Sequence, residues 1–225
     1  MLHLLPQEFI LDGQTGIHDP RGMIGRQLQV RVHVVTGSAS ETQNIVTLVN
    51  QAGIYVDDIV FEALACSDAV LIDEERELGV CVCAKTEARN SQFGCLVVNS
   101  TPQTPDIEVF SVGDRLSQQV SREAVLKLRI PDSIYTLRDN LGQAGVLEVL
   151  SSGVVLTGGG ARLPGLKEIT EEILRCPTRT GQPLIPISKL PAFLDGPEFA
   201  AAIGMVCYAH RVRVLKSRTS GSTGV

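Results

Sequence analysis

The clearest pattern in the chain is a short apolar run that meets three consecutive glycines. Residues 154–156 are apolar, Gly158, Gly159 and Gly160 follow, and apolar residues recur at helical spacing over residues 166–174. This order predicts a buried strand, a turn without side chains and a helix. Because glycine lacks a Cβ, a ligand can lie against such a turn, and the N-terminal end of the helix suits a phosphate or nucleotide.

The glycine turn fits neither of two common phosphate-binding motifs. The dinucleotide motif requires a third glycine where this chain has Leu163, and the Walker motif requires Lys-Ser or Lys-Thr where it has Leu166 and Lys167. A tight strand-to-helix connection without a ligand therefore stays open as the alternative.

The N-terminal part shows strand and helix patterns. Strands are predicted at residues 2–5 and 28–34, with a glycine-rich turn region at residues 12–25 between them. Strict alternation in the second strand indicates one wet face. A helix follows, with Ser40 and Gln43 as its capping box.

The remaining elements follow from shorter patterns. Small residues near the start of the last helix predict a close approach of its backbone to a neighbour. The predicted elements are a strand at residues 56–61, a helix at 63–71, a solvated acidic turn at 73–77, a strand at 79–83, a proline-containing loop at 99–106, a hairpin turning at 113–114, a helix from 122 to 141 capped by Ser121 and broken at Pro131, and a last helix at 198–210.

Composition excludes several classes of protein. The chain has 225 residues, enough for one or two domains, with 44% hydrophobic and 20% charged residues. A net charge of −5 argues against nucleic-acid binding. No signal peptide is recognised, and no apolar run approaches the roughly 18–20 residues of a membrane span.

Six cysteines are present, and Cys81 and Cys83 form a C-x-C pair on a predicted strand. Alternation places both on one face of a sheet. Zinc sites pair C-x₂₋₄-C with a second matching motif, which is lacking, so the cysteines are interpreted as reduced core residues. The scattered histidines give no catalytic histidine and no metal site.

Several segments together resemble the FtsA family of bacterial cell-division proteins, in the actin/Hsp70/hexokinase-like ATPase superfamily. Their order matches over residues 1 to about 214. The segments are LLPQEF at 4–9, Gly-Ile at 16–17, residues 20–25, residues 32–36, DEERELGVC at 73–81, SVGDR at 111–115 and VLTGGGA at 155–161.

The resemblance implies an α/β chain with a partial actin/Hsp70-like (ribonuclease H-like) fold and an SHS2-type inserted subdomain. It also implies a division of the chain into subdomains. These are a partial 1C-like SHS2 subdomain at 1–55, a return to 1A and the first 2A strand at 56–83, a partial 2B-like subdomain at 84–145, the 2A-like nucleotide half and closing helix at 146–214, and a disordered tail at 215–225.

The family's function follows as an expectation. The resemblance implies a non-enzymatic scaffold that links the ring of the tubulin-like protein FtsZ to the cytoplasmic face of the cell membrane at the septum, recruits other division proteins and self-associates as a protofilament. ATP is its cofactor. The residues on the adenosine side would be Thr157, Gly158, Gly159, Gly160 and Ala161.

Two departures from the family predict that ATP binding is weak or lost. The chain begins within the 1C-like region, so the phosphate hairpin of 1A has no counterpart. After Cys83 the chain reads Ala84-Lys85-Thr86 instead of the family's Asp-Ile-Gly-Gly-Gly-Thr turn, which predicts that this turn and the following strands are missing. No catalytic residue is assigned, and ATP hydrolysis is not expected.

The contact with the FtsZ tail also departs from the family. Its candidate residues are Arg122, Arg129 and Asp132, and Asp132 stands where a basic contact is expected. No amphipathic membrane anchor is visible after Leu215. Two alternatives remain: an inactive deletion form of such a protein, and a phosphotransferase of the same superfamily.

Overall fold

A computed structural model describes residues 1–17, 19–84, 93–101, 104–112, 130–184 and 191–220. In this part the chain forms two β-sheets and several α-helices, which confirms the predicted α/β class. The elements are β1 (His3–Leu11), β2 (Gln14–Ile17), β3 (Leu28–Val35), α1 (Ala39–Gln51), α2 (Glu62–Val70), α3 (Asp73–Leu78), β4 (Val80–Ala84), β5 (Phe93–Thr101), β6 (Thr104–Val112), α4 (Ile130–Gln143), β7 (Val154–Thr157), α5 (Leu166–Leu174), β8 (Thr178–Thr180) and α6 (Ala200–Ser220).

The smaller sheet is antiparallel, in the order β2-β1-β3. Strand β2 lies inside the region predicted as turn only. Asp12 and Gly13 join β1 to β2 with φ angles of 50° and 85°, the left-handed pair that a two-residue Asp-Gly hairpin favours. The prediction of a single wet face on β3 is wrong, since Val32 and Val34 on its apolar face are 46% and 47% exposed.

Helix α1 begins and ends close to its predicted bounds. Its N-cap is Ser38, whose hydroxyl accepts from the Glu41 N–H, so the predicted capping role of Ser40 is wrong. Gly53 follows the helix at φ 81°, in the left-handed conformation that commonly closes a helix. Helix α1 buries none of its residues and borders, together with α6, a mostly apolar groove of 920 Å³.

No strand forms at residues 56–61, which corrects a further prediction. The segment crosses from α1 to α2 without a strand partner. Its last amide, the Phe61 N–H, donates to Nε2 of His3 at 2.9 Å. A side chain of β1 therefore accepts the hydrogen bond that a neighbouring strand would otherwise accept. Val60 and Phe61 of the segment pack against the core under the larger sheet.

The larger sheet has the order β6-β5-β4-β7-β8. Strands β7 and β8 run parallel to β4, and β5 and β6 form an antiparallel hairpin beside it. The strands predicted to be missing after Cys83 are thus present, and the predicted loop at 99–106 is wrong. Pro105 misled that prediction, yet it lies on the edge strand β6, where a missing N–H is tolerated. The predicted subdomain boundary between residues 83 and 84 separates β4 from β5, although these two strands pair within this sheet.

Helices cover both faces of the larger sheet. Helices α4 and α5 pack on one face, and α2 and α6 pack on the other. Every residue of β4 is buried. The predicted close approach of the last helix is confirmed, because a Cβ on Gly204 would lie 1.8 Å from the carbonyl oxygen of Ala65 in α2.

The acidic segment predicted as a solvated turn forms helix α3. Glu75 accepts from the Ile72 N–H and binds Arg179 through two contacts of 2.6 Å, while Arg179 also donates to the Val70 carbonyl at 2.8 Å. Burial acts to raise the pKa of Glu75, but the hydrogen bonds from Arg179 and Ile72 outweigh it and leave the pKa below its ordinary value. The helix therefore depends on a partner 104 residues away in the chain.

The observed bounds of α4 and α6 bear on two further helix predictions. Helix α4 begins at Ile130 with Pro131 in its first turn, where a missing N–H removes no helix hydrogen bond, and the helical stretch predicted before this proline, residues 122–129, lies outside the described residues. Helix α6 continues to Ser220, so a disordered tail from residue 215 is wrong as far as 220. The predicted hairpin turn at 113–114, the cap at Ser121 and residues 221–225 lie outside the described residues.

Candidate functional site

The glycine turn follows the carboxyl end of β7, an interior strand of the larger sheet. Strands β4 and β7 run parallel, and Ala84 at the end of β4 lies opposite Thr157 at the end of β7. In open α/β sheets, ligands bind at the carboxyl ends of parallel strands. The predicted strand and its position before the glycines are confirmed, and the turn lies at an edge suited to a ligand.

Two distant segments hold the first residues of the turn in place. The Thr157 hydroxyl donates to the Gly181 carbonyl at 3.0 Å and also approaches the Pro197 carbonyl at 3.4 Å. The Gly158 N–H donates to the same Pro197 carbonyl at 3.0 Å. Gly158 has φ 80° and ψ 172°, a conformation essentially restricted to glycine. The turn therefore has a defined shape.

A short 3₁₀ turn, Gly159–Arg162, follows at once. The Ala161 N–H donates to the Gly158 carbonyl, and the Leu163 N–H donates to the Gly160 carbonyl, each at 3.0 Å. In a 3₁₀ turn the first N–H groups cannot bond within the turn. The amides of Gly159 and Gly160 are therefore the groups in this turn suited to contact a ligand.

The predicted helix does not begin directly at the glycines. Helix α5 starts only at Leu166, after Gly165 in the left-handed conformation. The expectation that the N-terminus of this helix faces the glycines directly is therefore wrong. A 3₁₀ turn and a short linking segment lie between them. Any contact with an anion would depend on the amides of the turn more than on the dipole of α5.

An ion pair fixes the far side of the turn. Arg162 Nε donates to Glu198 Oε2 at 2.7 Å, and the two side chains are 61% and 33% exposed. Exposed pairs of this kind contribute at most about 1 kcal/mol. Because Glu198 precedes α6, the pair joins the turn to the start of that helix.

The residues predicted to contact the FtsZ tail are not brought to this edge. Arg122 and Arg129 lie outside the described residues. Asp132 is exposed in the first turn of α4, where its backbone carbonyl accepts from the Thr136 hydroxyl at 2.9 Å. An acidic residue in the first turn interacts favourably with the positive N-terminal end of the helix dipole.

Of the six cysteines predicted as core residues, four are buried, whereas Cys176 and Cys207 are half-buried. A third buried thiol lies beside the pair formed by Cys81 and Cys83. Cys95 of β5 places its Sγ 2.9 Å from that of Cys83, and Cys83 Sγ lies 3.7 Å from Cys81 Sγ. On the other face of the sheet, burial raises the pKa of Cys66 to about 12. Sequence alone could not pair Cys95 with Cys83, because the antiparallel register of β4 and β5 decides it.

Neither metal binding nor membrane spanning is indicated by the described residues. Within them no group of three or more His, Cys, Asp or Glu side chains is arranged to hold a metal ion. None of the helices there combines the length and hydropathy that a membrane span requires.

Family models match two parts of the chain. Residues 1–36 match the SHS2 domain inserted in FTSA, and residues 81–204 match the cell division protein FtsA. The second match includes β4 through the first turn of α6 and contains the whole glycine turn.

Curated relatives give the same picture. The cell division protein FtsA of Pseudomonas aeruginosa is 30% identical over 253 residues, which cover 92% of this chain and 60% of that protein. Those of Borreliella burgdorferi and Escherichia coli are 30% and 29% identical, covering 93% and 92% of this chain and 62% of each relative. The chain thus spans about 60% of the length of the relatives it matches.

A solved structure supports the fold. The PilM-PilN type IV pilus biogenesis complex aligns with a TM-score of 0.54 at 18% identity, covering 91% of this chain and 65% of that one. Together with the SHS2 match, this similarity confirms the expected actin-like ATPase fold with an SHS2 domain.

Proposed function

Since the chain belongs to the FtsA family of cell-division proteins, we propose that it is a non-enzymatic division scaffold with a degraded nucleotide site. It links the FtsZ ring to the cytoplasmic face of the membrane at the septum and recruits other division proteins. It self-associates as a protofilament, as the actin-like fold allows.

The proposal of a degraded nucleotide site depends on one contrast, between the segment that follows β7 and the segment that follows β4. After β7, the glycine turn keeps a defined shape, with Gly158 at φ 80° and its N–H bonded to Pro197. After β4, the sequence continues as Ala84-Lys85-Thr86, without the acidic and glycine-rich phosphate turn of the family. The adenosine side is thus retained and the phosphate side is changed.

The magnitude of that change favours weak ATP binding. Charge-assisted hydrogen bonds contribute about 1.5–3 kcal/mol each. Loss of two such contacts amounts to about 3–6 kcal/mol, which weakens binding roughly 10²–10⁴-fold. Hydrolysis would need a positioned metal and water as well, so the proposal includes no catalytic activity.

Titration with a fluorescent ATP analogue tests the nucleotide proposal. The FtsA of Pseudomonas aeruginosa, measured in parallel, is the reference. We expect this chain to bind the analogue at least 100-fold more weakly than the reference does. Equal affinity, or phosphate release above the blank, would contradict the degraded site and favour the phosphotransferase alternative.

The FtsZ link is tested with a labelled FtsZ C-terminal tail peptide. Asp132 is exposed on α4 and has the wrong sign for the expected contact. We expect Asp132→Arg to tighten binding about five- to tenfold, which corresponds to about 1–1.4 kcal/mol. Asp139→Arg, at another exposed site on α4, is the matched control and should leave the affinity unchanged.

The outcomes separate two parts of the proposal. No binding by any of the three proteins would contradict the link to FtsZ. Measurable binding that Asp132→Arg leaves unchanged would contradict only the role of Asp132. A fluorescent fusion observed in dividing cells tests the location, and an even distribution through the cell would contradict the septal assignment.

A partly folded deletion form is less well supported. In the described residues, the five strands of the larger sheet pair continuously and helices cover both faces. A chain that lacked central strands would expose unpaired edges within the sheet. The continuous sheet therefore favours a folded scaffold over an inactive remnant.

A further inference from the structure

Three thiols lie together inside the larger sheet. Cys81 and Cys83 of β4 and Cys95 of β5 have no exposed surface, and all three belong to the apolar core on the α4 and α5 side. Their sulfur atoms are close: Cys95 Sγ lies 2.9 Å from Cys83 Sγ, and Cys81 Sγ lies 3.7 Å from it. The fold thus brings Cys83 and Cys95, which are 12 residues apart in the chain, into contact.

The register makes one pair suitable for a covalent bond. Cys83 lies directly opposite Cys95 in the antiparallel pairing of β4 with β5. Residues so opposed have Cα atoms about 4.5–5.5 Å apart, within the range of about 4.4–6.8 Å that disulfides span. The two sulfurs need to approach by only about 0.9 Å to reach bond length.

The other thiols are less suited to pairing. Cys81 and Cys83 are separated by two positions along one strand, about 6.6 Å between Cα atoms, at the far limit for a disulfide. Cys66 lies in α2, in the core on the opposite face of the sheet. Cys83 and Cys95 are therefore the pair that the fold selects.

We propose that Cys83 and Cys95 form a redox-dependent disulfide. A small-molecule disulfide such as oxidised glutathione is the oxidant. A thiolate of the pair attacks one sulfur of oxidised glutathione, which forms a mixed disulfide and releases one glutathione. The thiolate of the second cysteine then attacks the protein sulfur of the mixed disulfide, which forms the Cys83–Cys95 bond and releases the second glutathione. The pair loses two protons and two electrons, and one oxidised glutathione becomes two reduced molecules.

Burial determines when this reaction takes place. Burial raises the pKa of Cys95 well above its ordinary value, so the native thiol is protonated and slow to react. The reaction proceeds when the β4–β5 hairpin opens or before the sheet has closed during folding. The bond would then join β4 to β5 one register step before Ala84, which lies opposite Thr157 of the glycine turn.

Refolding in a redox buffer tests the proposal on the whole chain. The reduced, denatured protein is refolded over a series of ratios of oxidised to reduced glutathione, quenched with acid, alkylated and digested with trypsin. We expect the peptide at 77–85 to be linked to the peptide at 90–115, with fragmentation assigning the bond to Cys83 and Cys95. The link should be at least tenfold more abundant after refolding than in protein oxidised in denaturant.

Variants identify the partners. Cys83→Ser and Cys95→Ser should each abolish the link, whereas Cys81→Ala and Cys66→Ala should retain it. The wild-type peptide map decides the question even where a variant folds poorly. Refolded protein with every thiol alkylated, with glutathione held as mixed disulfides, or with links distributed as in denaturant would overturn the proposal. The result does not depend on the proposed division function.

Discussion

Replacing Gly204 with alanine tests how closely α2 and α6 pack. A Cβ at this position would lie 1.8 Å from the carbonyl oxygen of Ala65 and 2.4 Å from its carbonyl carbon. Both atoms belong to the backbone, so no side-chain rotation can relieve the contact. The two helices would have to separate by more than about 1 Å, and close-packed interiors resist such a shift.

The expected loss follows from two opposing effects. Overpacking of a well-packed interior destabilises by about 1–3 kcal/mol, and a backbone clash belongs at the upper end of that range. Alanine recovers about 1 kcal/mol because it favours a helix interior more than glycine does. The net loss is therefore about 2 kcal/mol, which lowers Tm by about 4–8 °C in a chain of this size.

Gly142→Ala is the matched control for this prediction. Gly142 lies in α4, and a Cβ there meets no atom within 4 Å. Only the helix preference changes, so this variant should gain about 0.5–1 kcal/mol. Urea unfolding followed by circular dichroism, with calorimetry for Tm, measures both variants. A Gly204→Ala protein as stable as wild type, with Gly142→Ala stabilised, would refute the reasoning about the α2–α6 contact.

Three further predictions concern single contacts. Glu75 has a lowered pKa, so its contribution is present above about pH 4.3 and is lost as the pH falls through the folded pKa. The stability difference between wild type and Arg179→Met, measured by urea unfolding, should accordingly be smaller at pH 3 than at pH 7; a constant difference contradicts it. Gly153→Ala should lose about 2 kcal/mol more than Gly145→Ala in thermal unfolding, because both have positive φ but only Gly153 would meet a carbonyl oxygen, at 2.0 Å. Ser38→Ala should loosen the first turn of α1 by about 1 kcal/mol, seen as faster amide hydrogen exchange there, and unchanged exchange would contradict its capping role.

Local patterns predicted much of the candidate site. The apolar run before Gly158 and the helical spacing up to Leu174 gave the strand, the turn and helix α5 at nearly their observed bounds. Those signals act within a few residues, so sequence contains them directly. The anchoring of the turn by the Pro197 and Gly181 carbonyls could not be predicted, because both lie more than 20 residues away along the chain.

The wrong predictions share a physical cause, which is that distant partners change the meaning of local residues. Prolines suggested a loop where β6 lies, but an edge strand tolerates a missing N–H. The acidic segment suggested a solvated turn, but Arg179 on β8 donates hydrogen bonds to Glu75, and the segment forms helix α3. Residues 56–61 suggested a strand, but His3 accepted the Phe61 N–H and no partner strand was needed.

By itself, the sequence determined the α/β class, the glycine turn and the family resemblance, because each depends on the order and spacing of residues along the chain. Only the tertiary structure decided the strand order, the contact of Gly204 with Ala65 and the pairing of Cys83 with Cys95. Strand register and helix packing set these distances, and they depend on how the surfaces of separate elements fit together.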